Sequence, residues 1–388
     1  MINFSYNIPT NIVFGKDQIH ALPDLLKKHD VNSILFVYGK SSIKKLGIYD
    51  EVKKLLSELN IKVTEMGGIR PNPSLESVLE GRQKAINENV DFVLAAGGGS
   101  VIDAAKAMAF GVFMEEGDVW KAYTKECDPE KALPIGTILT LSATGTETNG
   151  NTVVTNYKTN KKYGIAHPFL RPQFSIIDPT YTMSVNRHHT VAGSIDIMMH
   201  IFEQYFSNTV RTETADYMAV GLLKSVIDNV NRILDGEDGY ETRANLSWAS
   251  TLGWSWLLQQ GKIGDWATHR LSYPITADHG ITHGFALTSV HRAWMKTALK
   301  YNPETMKRRL KFLAKELFDG CNKDDVIENL SDIFKSWDAP TSLKEAGLSL
   351  TDNDLASMAK SAVSLGSVGT VIEIDEERAL EIFNLANK

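Results

Sequence analysis

Two hydrophobic periods alternate over residues 32–100, and this alternation narrows the fold more than any other feature of the chain. The run "NSILFVYG" (32–39) is short and nearly all apolar, as a strand buried on both faces requires, while "YDEVKKLLSELN" (49–60) spaces its apolar residues as a helix does. A strand, "IKVTEMGG" (61–68), a helix, "SLESVLEGRQKAINEN" (74–89), and another strand, "DFVLAAGGGS" (91–100), follow in turn. Strands and helices in that order build a parallel sheet with crossover helices. After "FSIIDPTYTMS" (174–184) the strand patterns stop, and from about residue 187 the periodicity is helical nearly to the end. The prediction is an α/β N-terminal domain, residues 1–180, followed by an all-α C-terminal domain, residues 181–388, with the boundary near Asp178–Pro179. A chain of 388 residues is long for one core, which agrees with two.

Composition excludes several partners. A net charge of −6 lacks the positive field that nucleic acid or an anionic membrane surface selects, and the longest apolar stretch, near 92–114, is broken by Asp103, Lys106 and glycines. The expected partner is a small molecule. Two cysteines, Cys127 and Cys321, are too few for a disulfide framework, and the start carries no basic head before an apolar run, so a cytoplasmic protein is expected.

Gly97, Gly98 and Gly99 end a strand and open a helix, followed by Ser100. Glycines there let backbone approach a pyrophosphate, and the free N–H groups and dipole of the helix favour its charge. The pattern GGGS departs from the usual GxGxxG, so the strand-to-helix context carries the inference. At the end of the earlier strand stands "VYGKSSIKK", where Gly39, Lys40, Ser41 and Ser42 suit a 2′-phosphate better than a bare ribose hydroxyl; the nearest acid, Asp50, lies in the next helix. NADP is therefore the expected cofactor, with NAD as the alternative. The loop "LTLSATGTETN" (139–149) offers the hydroxyls of Thr140, Ser142, Thr144, Thr146 and Thr148, although hydroxyl-rich loops are common without function.

In the helical half, "GSIDIMMHIF" (193–202) places Asp196 and His200 one turn apart on one face. Alone, the pair is a satisfied core couple. "GDWATHRLSYPITADHGITHG" (264–284) adds His269, His279 and His283, and a carboxylate with several imidazoles suits a borderline divalent ion such as Fe²⁺ or Zn²⁺. The aromatic segment between them puts Trp248, Leu252 and Trp256 on one expected helical stripe, read as core; Trp254 and Trp266 fall off it.

These motifs stand in the order found in a known family. "NIVFGKD", "YGKSSIKKLGIYDEV", "GGIRPNPSLE", "GGGSVIDAAK", "LTLSATGTETN", "FSIIDPTYT", "DIMMHIFEQYFS", "DWATH" and "HGITHG" make the chain resemble, nearly end to end, the iron-dependent (group III) alcohol dehydrogenases, in their butanol dehydrogenase and broad aldehyde reductase branch. The resemblance implies a dehydroquinate synthase-like two-domain architecture with nucleotide between the domains, and a homodimer. It implies metal ligands Asp196, His200, His269 and His283. It also implies a pyrophosphate at Gly97 to Ser100 and Asp103, and a cofactor cleft lined by Thr140, Thr144, Asn149 and Lys162, with Gly39 to Ser42 at the adenosine ribose. The implied activity is NAD(P)-linked interconversion of short-chain primary alcohols, such as butanol, with aldehydes. Zinc polyol dehydrogenase and dehydroquinate synthase-type lyase are the alternatives on the same plan. Many relatives carry a further histidine where this chain has Tyr273–Pro274, so Tyr273 and His279 are the candidates for proton transfer.

Overall fold

The computed structural model describes residues 1–388, and the chain divides into two compact units. In the first, apolar runs become strands where the sequence pattern requires. β1 (Asn11–Phe14), β2 (Ser33–Tyr38), β3 (Lys62–Met66), β4 (Phe92–Gly97), β5 (Ile135–Leu139) and β8 (Phe174–Ile177) form one sheet in the order β1-β8-β5-β4-β2-β3. Every pair in it is parallel. β2 and β4 are buried at all six positions, which is why both read as unbroken apolar runs. β2 leads outward to β3 at the sheet edge, and the chain then returns to lay β4 on the other side of β2. The carboxyl ends of β2 and β4 therefore meet where the strand order reverses, the place where open α/β sheets bind ligands. Helices Ile48–Glu58, Leu75–Asn87 and Gly99–Gly111 follow β2, β3 and β4. A second, antiparallel sheet pairs β6 (Asn151–Asn156) with β7 (Lys161–Ala166).

The second unit is helical. Its centre is the helix Arg187–Tyr205, buried at every position from Thr190 to Tyr205, so its sequence shows no polar face. Asn186 caps it by accepting from His189 N–H. Around it stand Glu213–Leu234, Ala267–His279, His283–Tyr301, Pro303–Glu316, Val326–Ser336, Asp352–Ala362 and Glu376–Ala386. The Ala267–His279 helix ends at Gly280, whose φ of +68° closes it in the left-handed region. No helix is long and apolar enough to cross a membrane.

Three features differ from the sequence reading. A single division at residue 180 does not describe the units, because Met1–Tyr6 belongs to the helical one and Gly239–Thr251 to the α/β one. Ile2 N–H donates to Gly261 O at 2.8 Å and the Met1 ammonium to Val210 O at 3.2 Å; Ser142 meets Ser247 at 2.8 Å and Thr251 donates to Glu147 at 2.8 Å. Such contacts join residues over a hundred positions apart. β1 and the β6–β7 hairpin lack the long apolar runs that mark the inner strands. The tryptophan stripe is absent: the helix begun at Tyr240 ends at Gly253, leaving Trp256 beyond it at φ +68°, while Trp248 is 42% exposed and meets Phe14 edge-on at 5.7 Å.

Candidate metal centre and dinucleotide cradle

One carboxylate oxygen collects three imidazoles. Helical spacing stacks Asp196 and His200 on one face, with His200 Nδ1 3.7 Å from Asp196 Oδ1. The Ala267–His279 helix brings His269 Nε2 to 3.4 Å from the same oxygen, and His283, first residue of its helix, brings Nε2 to 3.7 Å. Ligand atoms of Asp196, His200 and His269, all buried, lie within 4.8 Å of one another; the His283 side chain, 26% exposed, stands on the more open side.

The chemistry of these residues fits a divalent ion. Asp196 Oδ1 and His269 Nε2 are buried atoms with no hydrogen-bond partner, which is costly unless a cation joins them. Three nitrogens and one carboxylate oxygen are the donor set expected for Fe²⁺ or Zn²⁺. Burial alone raises the pKa of Asp196, yet His200, His283 and His269 outweigh it and hold the carboxyl well below its usual range. Burial lowers that of His269, but Glu203 and Asp196 prevail and raise it to about 9. The cluster is a place that demands positive charge.

Glu203 was not found by the sequence reading. It lies seven residues after Asp196, two turns along the same helical face, and that spacing was the available signal. Its Oε2 accepts from His269 Nδ1 at 2.5 Å and its Oε1 from the His269 backbone N–H at 3.2 Å. Glu203 keeps a proton on Nδ1, so the nitrogen left to a divalent ion, once it displaces the other ring proton, is Nε2. Glu203→Gln is expected to weaken metal affinity by about 10–100-fold, read by competition with a chromogenic chelator; unchanged affinity would remove this role.

His279 is not brought to the cluster. It ends its helix exposed, with Asp278 and Asp354 as its charged neighbours. Tyr273 is half-buried one turn after His269, with the Arg270 guanidinium 5.6 Å above its ring. His291, a further histidine, is buried behind the cluster facing Thr268 Oγ1 at 3.3 Å, and burial pulls its pKa down to about 3, which keeps it neutral.

In the α/β unit, Gly97 closes β4 and Gly99 opens the next helix, whose N-cap, Gly98, provides no side chain. Their smallness is required: an added Cβ at Gly99 would lie 2.6 Å from Thr144 Oγ1, and one at Gly97 2.6 Å from Val101 Cγ2. Thr144 Oγ1 is itself buried without a hydrogen-bond partner, beside the helix N-terminus, as a hydroxyl waiting for an anionic ligand would be. Thr140 N–H donates to Gly97 O at 3.0 Å, tying the hydroxyl-rich loop to the glycine turn. The structure thus fits a bound dinucleotide pyrophosphate.

Other expected cradle residues turn inward. Asp103 spends both oxygens inside the protein, on Thr146 Oγ1 at 2.7 Å and Val153 N–H at 3.1 Å. Asn149 accepts from Asn151 N–H at 2.9 Å and donates to Thr144 O at 3.3 Å, shaping the loop. Below it lies fully buried Lys106, whose Nζ reaches Thr146 O at 2.6 Å, Thr146 Oγ1 at 2.8 Å, Asn149 O at 2.8 Å and Asn151 O at 2.9 Å. Burial pulls its pKa down to about 7, against Asp103 and Glu147, which favour the charged form. Asn72, at φ +53°, links two expected residues: its N–H donates to Ser100 Oγ at 3.2 Å and its Oδ1 accepts from Lys162 Nζ at 2.9 Å. Gly39 O accepts from Gly68 N–H at 3.0 Å, and Lys40, Ser41 and Ser42 beside it are exposed.

The chain matches the model described as iron-containing alcohol dehydrogenase over residues 9–179, and the model of the C-terminal part of the Fe-containing alcohol dehydrogenase family over residues 190–386. It is 39% identical to the NADH-dependent butanol dehydrogenase A of Clostridium acetobutylicum over 99% of both chains, and 33% identical to the NADPH-dependent aldehyde reductase YqhD of Escherichia coli over 90% of both. The crystal structure of a Thermotoga maritima protein named NADH-dependent butanol dehydrogenase A superposes with a TM-score of 0.94 at 37% identity, covering 100% of this chain and 99% of that one. With family models matching both its α/β and its helical parts, and a fold and metal-type cluster that agree with them, the chain belongs to the iron-containing alcohol dehydrogenase family.

Proposed function

We propose that this protein is a metal-dependent, NAD(P)-linked alcohol dehydrogenase and aldehyde reductase that interconverts short-chain primary alcohols, such as butanol, with their aldehydes. The observation that carries the reading is the meeting of three imidazoles on the one Asp196 oxygen. Asp196, His200, His269 and His283 would hold the ion, Fe²⁺ with Zn²⁺ as the alternative. When bound, the ion supplies Lewis acidity to a carbonyl oxygen and the reduced dinucleotide supplies hydride to its carbon.

The protein's own residues orient and hold. Glu203 fixes the His269 tautomer. Gly97 to Ser100, Thr140, Thr144 and Lys162 support the dinucleotide, and Asp103 and Asn149 shape the loop around it. Tyr273, half-buried one turn after His269, is the proton-relay candidate through its hydroxyl. No side chain acts as a nucleophile. The names of the relatives divide between NADH and NADPH. Lys40, exposed with Ser41 and Ser42 after β2, supports NADPH for this chain and, with it, aldehyde reduction. The two cysteines are free, which supports a cytoplasmic protein, and the exposed side chains of Met1, Phe4 and Val210 support a homodimer, to be read by light scattering.

The test is aldehyde-dependent oxidation of NADPH and NADH, side by side, on anaerobically purified apo-protein reloaded with Fe²⁺ or Zn²⁺. Metal-dependent turnover of butanal supports the reading, and none with either metal refutes it. Lys40→Ala is expected to weaken NADPH about tenfold, about 1.4 kcal/mol, with little change for NADH. Equal losses for both cofactors would remove the 2′-phosphate assignment.

A further inference from the structure

The metal-type cluster is walled by tryptophan, and two of the three rings are held in a backbone conformation that bulky residues avoid. Trp256 has φ +68° and Trp266 φ +63°; a few per cent of non-glycine residues adopt positive φ, and those that do gather at functional sites. Trp254, 6% exposed, stacks on the His200 ring at 4.9 Å with an interplanar angle of 16°, and Trp256 stacks on Trp254 at 4.9 Å. Trp266 crosses Trp254 at 4.1 Å and lies 5.9 Å from the His269 ring. Trp254 is covered by its neighbours, so the half-exposed rings are those of Trp256 and Trp266.

Both charged side chains between Trp254 and Trp266 are already spent inside the protein. Lys262 is buried and paired with Asp216 at 2.8 Å. Asp265 is buried and accepts the backbone N–H groups of Thr370 and Val371 at 2.7 Å and of Ala267 at 3.3 Å. The Trp266 indole N–H is also taken, by Gln259 Oε1 at 2.9 Å. A polyhydroxylated or anionic substrate needs polar partners for each group it buries, and here it would find flat apolar faces.

We infer that Trp256 and Trp266 form the specificity wall for the substrate's carbon chain, selecting aldehydes with an unbranched or aromatic apolar tail over polyhydroxylated and anionic ones. This rests on the aldehyde-reductase reading and adds the tail chemistry and the residues that select it. Each methylene laid on the wall should raise kcat/KM about fourfold, so the series ethanal, butanal, hexanal climbs steeply and glyceraldehyde falls below butanal.

Glycine is the residue that positive φ favours, so Trp256→Gly and Trp266→Gly remove a ring while relaxing the backbone. In the metal-loaded holoenzyme both variants are expected to keep their metal content and to flatten the chain-length slope, mainly through KM. A slope that survives both substitutions overturns the inference, as does loss of metal with all aldehydes slowed alike, since the rings would then only prop His200 and His269. A binding titration separates this failure from that of the reductase reading: tryptophan fluorescence of the unsubstituted protein on adding hexanamide, a non-reacting aldehyde analogue, against acetamide. Stronger binding of hexanamide that Trp266→Gly abolishes supports the wall even if no aldehyde turns over. Equal binding of the two amides overturns it even if butanal does.

Discussion

His269→Ala is expected to purify without a divalent ion and without aldehyde-dependent oxidation of NAD(P)H, while still binding dinucleotide. His269 is the residue through which two helices meet at the site: Nε2 faces Asp196 at 3.4 Å and Nδ1 is held by Glu203 at 2.5 Å. Its loss leaves the Glu203 carboxylate buried without the ring it holds and Asp196 with only His200 and His283, and removing one member of a buried charge pair costs about 3–5 kcal/mol. The glycine cradle lies in the other unit and has its own hydrogen bonds, so NADPH titration by fluorescence should be near normal. Metal analysis by plasma emission beside that titration checks both halves of the expectation. An alanine variant with full metal content would show that the ion, if bound, sits elsewhere.

Lys106→Met is expected to lower the unfolding free energy by about 3–5 kcal/mol and to weaken dinucleotide binding. Methionine fills similar volume but supplies no donor, and the carbonyls of Thr146, Asn149 and Asn151 each lose a hydrogen bond in a buried setting. Asp103 and Glu147 would also lose the cation that offsets their burial. Because the loop they shape carries Thr144 and is tied to Gly97 through Thr140, the damage should reach the cradle. Thermal melting followed by circular dichroism reads the stability, with NADPH binding measured on the same samples. A melt within a degree of the parent would mean that the loop holds itself up without the lysine.

Much of this was legible in the chain alone. β2 and β4 are buried on both faces, so their side chains had to be apolar almost without interruption, and the turn after β4 had to be glycine where Gly97 and Gly99 meet Val101 and Thr144. Asp196 and His200 were readable because helical geometry fixes which residues share a face. β1 and the β6–β7 hairpin were not, since one is four residues long and the other mixes polar residues with apolar ones. Glu203 and Lys106 resembled ordinary charged residues, because what defines them is a partner 66 or 40 positions away.

The sequence by itself determined the parallel sheet, the glycine turn and the Asp196–His200 pair, because each depends on neighbours within a few residues along one strand or helix. Only the tertiary structure decided that Met1–Tyr6 and Gly239–Thr251 change units, that Glu203 holds His269 while His279 stays at the surface, and that Trp256 leaves its expected stripe to stack on Trp254, the ring that covers His200. Those outcomes depend on which buried polar and aromatic groups meet across the fold, and no local period records that.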